Sequence, residues 1–219
     1  MTKHASEATK PALRRGAVAA LAFTVLYLLV AAGGAWGGGN REFIFYLLVM
    51  IFLMLLVVRL HFSHNFSNFA LWGLALWGLL HMAGGLVPLP QGWPAAGEMR
   101  VLYSLWIVPG WLKYDHVVHA YGFGITTLVC WEGLRHVLAA AAVQHREAIA
   151  PTLGLLAFCG AASMGLGALN EVVEFIATLT LPETNVGGYI NTGWDLVSNL
   201  IGIALAVALI RLTASRSPV

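Results

Sequence analysis

The chain has 219 residues, of which 59% are hydrophobic and only 10% are charged, with a formal net charge of +2. Soluble domains carry about 25% charged residues, so this composition excludes a single water-soluble core. The bilayer is then the solvent, and long apolar runs favour helices over the short alternating strands of a membrane barrel. The expected partners are membrane lipids, because so small a net charge gives no support for nucleic acid.

Six apolar segments approach or exceed the 20 or so residues that a membrane-spanning helix needs. In chain order the predicted helices cover residues 17–36, 43–60, 66–87, 115–139, 151–179 and 192–212. The connection 88–114 is rich in Pro and Trp, and its residues 101–112 predict a short interfacial or re-entrant segment. The sequence thus predicts an all-α, polytopic membrane helix bundle.

The predicted domain organisation is one transmembrane helical domain, residues 16–212, between a basic tail of residues 1–15 and a short tail of residues 213–219. We expect the first apolar run to be retained as a helix, because it is too long for the core of a signal peptide.

Lys and Arg are unevenly divided between the two sides of the predicted bundle, with nine of the 12 on the side of the termini. The positive-inside rule then predicts a multi-pass protein of the bacterial cytoplasmic membrane with both termini in the cytoplasm. The nine are Lys3, Lys10, Arg14, Arg15, Arg59, Arg135, Arg146, Arg211 and Arg216; the other three are Arg41, Arg100 and Lys113.

Ionisable side chains inside spanning helices are costly, and they therefore mark a functional site by default. Here they cluster near one end of four predicted helices, which the predicted orientation places in the outer leaflet. The residues concerned are His81 in the third helix, Asp115 and His119 in the fourth, Asn170, Glu171 and Glu174 in the fifth, and Asp195 and Asn199 in the sixth.

Helical spacing places these side chains on single faces. Asp115 and His119 are four residues apart, as are Asp195 and Asn199. Several carboxylates that face one another cannot all stay ionised unless a cation neutralises them. Carboxylate and imidazole ligands suit Zn²⁺, Mn²⁺, Fe or Mg²⁺.

We therefore predict a divalent metal site, with Glu171 or His119 as a catalytic base and with His81, Asn170 and Asn199 as further polar residues of the site. The predicted metal ligands are Asp115, His119, Glu171, Glu174 and Asp195. Two simpler interpretations stay open: Asp195 as a helix cap and His119 as a hydrogen-bonded core histidine.

Other polar residues favour structural roles. His61 and His64, and the group Glu132, Arg135 and His136, fall at the cytoplasmic ends of their helices and are typical of interfacial pairs. Cys130 and Cys159 lie in apolar runs and are expected to be small buried residues.

The strings YDHVVHAYGFG, NEVVEF and NTGWDLVSNLIG, preceded by LHMAGG, resemble the bacterial YjdF-like inner-membrane family and, more distantly, the VanZ-like proteins. The resemblance covers residues 72–206. It implies a multi-helix membrane protein with a polar centre formed by the carboxylates and His119 named above. It implies no established reaction, although VanZ itself is associated with resistance to glycopeptide antibiotics.

Three functions remain open from the sequence. The first is a metal-dependent enzyme acting on a lipid or lipid-linked headgroup at the outer leaflet. The second is a transporter in which the carboxylates relay protons or cations. The third is a non-catalytic protein that binds lipids or an antibiotic. The oligomeric state is left open.

Overall fold

The computed structural model describes residues 15–97, 99–142 and 149–214. Six long helices dominate it, and the predicted all-α membrane bundle is confirmed, with helix ends shifted by a few residues. Lys3, Lys10, Arg14, Arg146 and Arg216, which entered the orientation argument, lie outside the described residues. The helices are α1 (Arg15–Gly37), α2 (Arg41–His64), α3 (Asn68–Leu86), α4 (Tyr114–Ala142), α5 (Leu153–Thr180) and α6 (Tyr189–Ala214).

Five of these helices are long and apolar enough to cross a membrane. The remaining helix, α4, has 29 residues and carries Asp115, His116, His119, Glu132 and Arg135. It packs against α3, α5 and α6. The helix with the most ionisable side chains therefore lies at the centre of the bundle, where neighbouring helices shield those side chains from lipid.

The closest helix pair is α4 and α6, because small residues allow their backbones to touch. A Cβ atom on Gly202 would collide with the backbone of Ala120, and one on Gly124 would lie 3.2 Å from the carbonyl oxygen of Gly202. Such small residues are typical of helix interfaces in membranes. The crossing fixes the first half of α4 against the middle of α6.

The connection between α3 and α4, which includes the predicted short segment 101–112, folds back on itself. It contains a single 3₁₀ turn (Leu102–Ser104) and an antiparallel hairpin of β1 (Trp106–Val108) and β2 (Leu112–Lys113). Gly110 closes the hairpin with a φ of +77°, a conformation that favours glycine. We call the end of the bundle that carries this hairpin the hairpin end, and the other one the opposite end.

Candidate functional site

The polar side chains of four helices meet at the hairpin end. Asp115 and His119 lie on one face of α4, and Oδ1 of Asp115 is 3.6 Å from Nε2 of His119. Asp195 of α6 faces them and is fully buried. One ligand atom from each of these three residues lies within 4.8 Å of the other two, a separation that suits one shared metal ion.

The His119 ring is held by its other nitrogen. Nδ1 lies 3.1 Å from Oδ1 of Asn199, which is fully buried on α6. With Oδ1 of Asn199 as the acceptor, this contact favours the tautomer in which Nδ1 carries the proton and Nε2 offers its lone pair to a metal. Histidine ligands of metals are commonly oriented in this way by a hydrogen bond to their second nitrogen.

A second group of possible ligands shares His119. It adds Glu171 and Glu174 of α5, again with ligand atoms within 4.8 Å of one another. Oε1 of Glu171 is 3.8 Å from Nδ1 of His119. Asn170 donates to Oε1 of Glu174 at 2.9 Å, so this carboxylate is already oriented from within α5.

Oδ1 of Asp195 is buried and accepts no hydrogen bond from any described residue. An unsatisfied buried carboxylate oxygen is costly, and in native proteins it commonly indicates a missing ion or water. The carboxylate oxygens of Glu171 are buried as well, beside the side chains of Asn170 and Thr192. Asp195 and Glu171 each belong to a group of potential ligands that includes His119.

One lysine lies beside the cluster. Nζ of Lys113 is 3.4 Å from Oδ2 of Asp115 and is also hydrogen-bonded to Asn191. Asn191 in turn donates to Oδ2 of Asp195 at 2.5 Å. The ammonium group of Lys113 therefore offsets only part of the negative charge of Asp115, Glu171, Glu174 and Asp195, and the remaining charge requires protons or a further cation.

Glu42, Tyr46 and Tyr103 are among the residues around the site that the sequence did not indicate. Glu42, in the first turn of α2, is buried and accepts the backbone N–H of Asn185 at 2.9 Å. Tyr103, from the 3₁₀ turn, is hydrogen-bonded to His81, and the His81 ring packs edge-on against Tyr46 at 5.8 Å. Burial raises the pKa of the Tyr103 phenol, and the negative charge of Asp115 adds to this, so the phenol stays protonated.

Glu42 could have been found from the sequence, since α2 begins at the end of the bundle where the other carboxylates lie. Tyr103 gave no such signal, because only the fold of the connection brings it over His81.

An open cavity of about 630 Å³ leads to the cluster from the hairpin end. It lies between the hairpin connection and the segment that joins α5 to α6, and its lining includes Tyr103, Lys113, Asp115 and Asn191. Its size falls in the range typical of small-molecule sites. A smaller hollow beneath it is lined by Glu42, His81, Asp115 and Glu174, among others.

The predicted site residues thus come together. Asp115, His119, Glu171, Glu174 and Asp195 form the two overlapping groups, and Asn170 and Asn199 orient members of them. His81 lines the smaller hollow and is not a member of either group. The helix-cap interpretation of Asp195 is wrong, because α6 begins six residues earlier, at Tyr189. The metal and catalytic roles themselves stay predictions.

A family model described as a predicted membrane protein (DUF2238) matches residues 16–216. No curated protein and no solved structure matches the chain.

Proposed function

The chain belongs to the DUF2238 family of predicted membrane proteins, and we propose that it is a metal-dependent enzyme that acts on the headgroup of a membrane lipid or lipid-linked molecule. The observation that carries the proposal is the buried group Asp115, His119 and Asp195, whose ligand atoms lie within 4.8 Å of one another below an open cavity. We also propose that the chain is related to the YjdF-like proteins and, more distantly, to the VanZ-like proteins, whose sequence motifs it resembles.

The group Asp115, His119 and Asp195 suits a divalent cation better than the group His119, Glu171 and Glu174. In the first group His119 offers Nε2 while Nδ1 is occupied by Asn199, so the ring is preoriented for binding through Nε2. Asp195 adds a buried oxygen without a hydrogen-bond donor among the described residues. Two carboxylates and one imidazole, with positions left for water and substrate, suit Zn²⁺, Mn²⁺, Fe or Mg²⁺.

Glu171 is then the base. It lies on the far side of the His119 ring, with Oε1 3.8 Å from Nδ1, and its carboxylate oxygens are buried. A cation bound at Nε2 would lower the pKa of a coordinated water, and Glu171 would take the proton through one intervening water, because the His119 ring separates it from the cation. Lys113, which lines the cavity, would bind an anionic group of the substrate.

The proposed location follows from the distribution of Lys and Arg. With both termini in the cytoplasm, the hairpin end faces the outside of a bacterial inner membrane. Trp93 and Trp111, in the connection at this end, are 51% and 78% exposed, as expected for side chains at headgroup level. The substrate would then be a lipid of the outer leaflet.

The proposal is tested by product analysis. The purified full-length protein is incubated in vesicles of bacterial polar lipids with each of the four metals in turn, and lipids and soluble headgroups are followed by mass spectrometry. We expect one metal to support conversion of a lipid, and we expect chelation, Asp195→Asn or Glu171→Gln to reduce the rate by about 100-fold or more.

The matched control is Glu132→Gln, which changes a buried carboxyl group of α4 at the opposite end. This variant should keep the wild-type rate. Conversion that survives both chelation and Asp195→Asn would contradict the proposal.

Proton- or cation-coupled transport is the second candidate, and the excess of carboxylates over Lys113 favours it. It predicts flux across the vesicle membrane that depends on Glu174 and needs no divalent metal. A metal-dependent lipid product without such flux would exclude it.

A further inference from the structure

The smaller hollow beneath the open cavity is acidic, and no Lys or Arg balances its charge. Three carboxyl groups line it, those of Glu42, Asp115 and Glu174, and none of the described residues around it is Lys or Arg. The ammonium group of Lys113 pairs with Oδ2 of Asp115 and lines the open cavity instead. Buried carboxylates without a counter-charge require protons or a bound cation.

A buried phenol with no hydrogen-bond partner also lines this hollow. Tyr46 follows Glu42 by four residues, so the two side chains lie on one face of α2. Tyr46 is 7% exposed, and its hydroxyl is buried without a hydrogen bond to any described residue. The carboxylates that act most strongly on this hydroxyl are Glu174 and Glu42, which line the same hollow. A species held between them is therefore needed to satisfy the phenol and the carboxylates together.

The two carboxylates are already oriented, each by one donor. Oε2 of Glu42 accepts the backbone N–H of Asn185 at 2.9 Å, and Oε1 of Glu174 accepts Nδ2 of Asn170 at 2.9 Å. A carboxylate has about four lone-pair positions, so each keeps several of them for a ligand.

The aromatic walls of the hollow are fixed by two glycines at the end of α3. A Cβ atom on Gly85 would collide with the ring of Phe43, and one on Gly84 would lie 2.6 Å from Cζ of Tyr103. Both rings line the hollow, and Tyr103 is also hydrogen-bonded to His81. The free space between these walls is about 30 Å³, which is enough for one or two water molecules or one small cation.

The atoms around the hollow indicate the class of cation. Carboxylates, amides and phenols offer mainly oxygen, which suits hard cations. Glu42 belongs to neither of the two groups whose ligand atoms lie within 4.8 Å of one another, so its carboxylate is set too wide for the close ligand shell of a divalent ion. Aromatic rings, here those of Phe43, Tyr46 and Tyr103, favour a weakly hydrated monovalent cation.

We propose that this hollow is a cation site separate from the proposed divalent one, and that it binds one monovalent cation of the size of K⁺ or ammonium. Glu42, Glu174 and the hydroxyl of Tyr46 hold the ion. The site does not depend on the proposed enzyme, and it accounts for negative charge at the hairpin end that Lys113 does not offset.

The test is a thermal unfolding titration of the full-length protein in detergent, with EDTA present so that divalent metals do not contribute. N-methyl-D-glucamine chloride is replaced stepwise by KCl, NH₄Cl or choline chloride at constant ionic strength. We expect a saturable rise of the unfolding temperature with K⁺ and with ammonium, because a ligand that binds only the folded state stabilises it. Choline, whose trimethylammonium group is too large for about 30 Å³, should give no rise.

A matched pair of glutamine variants assigns the effect to the hollow. Glu42→Gln removes the charge but keeps an oxygen for the N–H of Asn185, and it should weaken the apparent K⁺ affinity by about tenfold or more. Glu183→Gln is the control, because Glu183 is exposed and lines the open cavity but not the hollow. Its K⁺ response should match the wild type.

Tyr46→Phe keeps the test decisive even if Glu42→Gln does not fold. It removes only a hydroxyl that has no hydrogen-bond partner in the described part of the chain, and the K⁺ affinity should fall about threefold to tenfold.

Equal stabilisation by K⁺ and choline would be a general salt effect and would overturn the proposal, as would wild-type K⁺ affinity in Glu42→Gln and Tyr46→Phe. Asp195→Asn should keep the K⁺ response, because Asp195 does not line the hollow. Loss of the response in that variant would assign the ion to the group of Asp115, His119 and Asp195 instead. The divalent metal content, measured without EDTA, tests the proposed enzyme separately.

Discussion

The two ends of the bundle contain the same kinds of side chain and use them differently. At the opposite end, Glu132 of α4 is buried, and its Oε2 accepts the backbone N–H of Ser67, the residue that caps α3, at 2.8 Å. At the hairpin end, Asp195 is buried equally well, but its Oδ1 accepts no hydrogen bond from the described part of the chain. Burial alone therefore does not distinguish a structural carboxylate from a candidate ligand; the partner of each oxygen does.

The histidines repeat this contrast. His64 stacks on Phe66 at 5.9 Å, and its Nδ1 lies 3.1 Å from the carbonyl oxygen of Leu60 one turn earlier. His119 instead lies between carboxylates of two helices, with Asp115 on one side of the ring and Glu171 on the other. Both groups of three or more potential ligands found among residues 15–97, 99–142 and 149–214 lie at the hairpin end.

The largest effect on metal affinity short of removing a ligand should come from Asn199→Leu. The substitution removes the acceptor that orients Nδ1 of His119, and loss of such a partner typically costs about 10–100-fold in metal affinity. Titration of the metal-free protein with Zn²⁺ or Mn²⁺ measures the change.

The matched control for that variant is Ser198→Ala on the same helix, because the Ser198 hydroxyl bonds only to the carbonyl oxygen of Trp194 in its own helix. Its affinity should match the wild type. An unchanged affinity in Asn199→Leu would show that the His119 ring is oriented by something else.

A smaller effect is expected from Gly167→Ala on α5. The new Cβ atom would lie 2.7 Å from Nδ2 of Asn199, so Asn199 must shift and His119 with it. We expect a loss of metal affinity of about threefold to tenfold and a loss of stability of about 1 kcal/mol, as for mild overpacking.

Gly165→Ala, two residues earlier, provides the control, since no atom lies within 4 Å of the Cβ atom that it would add. This variant should bind metal as the wild type does. Equal affinities of the two alanine variants would show that the contact between α5 and Asn199 has no influence on the site.

At the opposite end, Glu132→Leu should leave metal affinity unchanged and lower stability instead. The substitution deprives the half-buried N–H of Ser67 of its acceptor, and we expect a cost of about 1 kcal/mol. Thermal unfolding in detergent measures the loss of stability, and a metal titration of the same variant measures its metal affinity. A fall in metal affinity as large as that of Asn199→Leu would remove the distinction between the two ends.

The sequence predicts the helices well because the length of an apolar run is set by the thickness of the bilayer. It also predicts that Asp115, His119, Glu171, Glu174 and Asp195 share one end, because alternating helix directions bring the beginning of one helix beside the end of the next. What it cannot supply is the path of a connection rich in proline and glycine.

The path of the connection between α3 and α4 accounts for contacts that the sequence did not predict. Residues 101–112 were expected to form a short interfacial or re-entrant segment, and the sequence did not indicate the 3₁₀ turn and the hairpin that bring Tyr103 to His81 and Lys113 to Asp115. Asp195 was left open as a helix cap because the sixth helix was predicted to begin close to it, at residue 192, although α6 already begins at Tyr189. Contacts across more than 70 residues, such as that of Lys113 with Asn191, depend on the whole topology.

The most direct test of the central claim is the metal content of the purified full-length protein, measured by inductively coupled plasma mass spectrometry beside Asp195→Asn and Glu132→Gln. Removing a ligand from the hairpin end should abolish binding, whereas the same neutralisation at the opposite end should not. We predict about one metal ion per chain in the wild type and in Glu132→Gln, and less than about a tenth of that in Asp195→Asn. Equal metal content in all three proteins, or none in the wild type, would contradict the claim that the carboxylates of the hairpin end form a metal site.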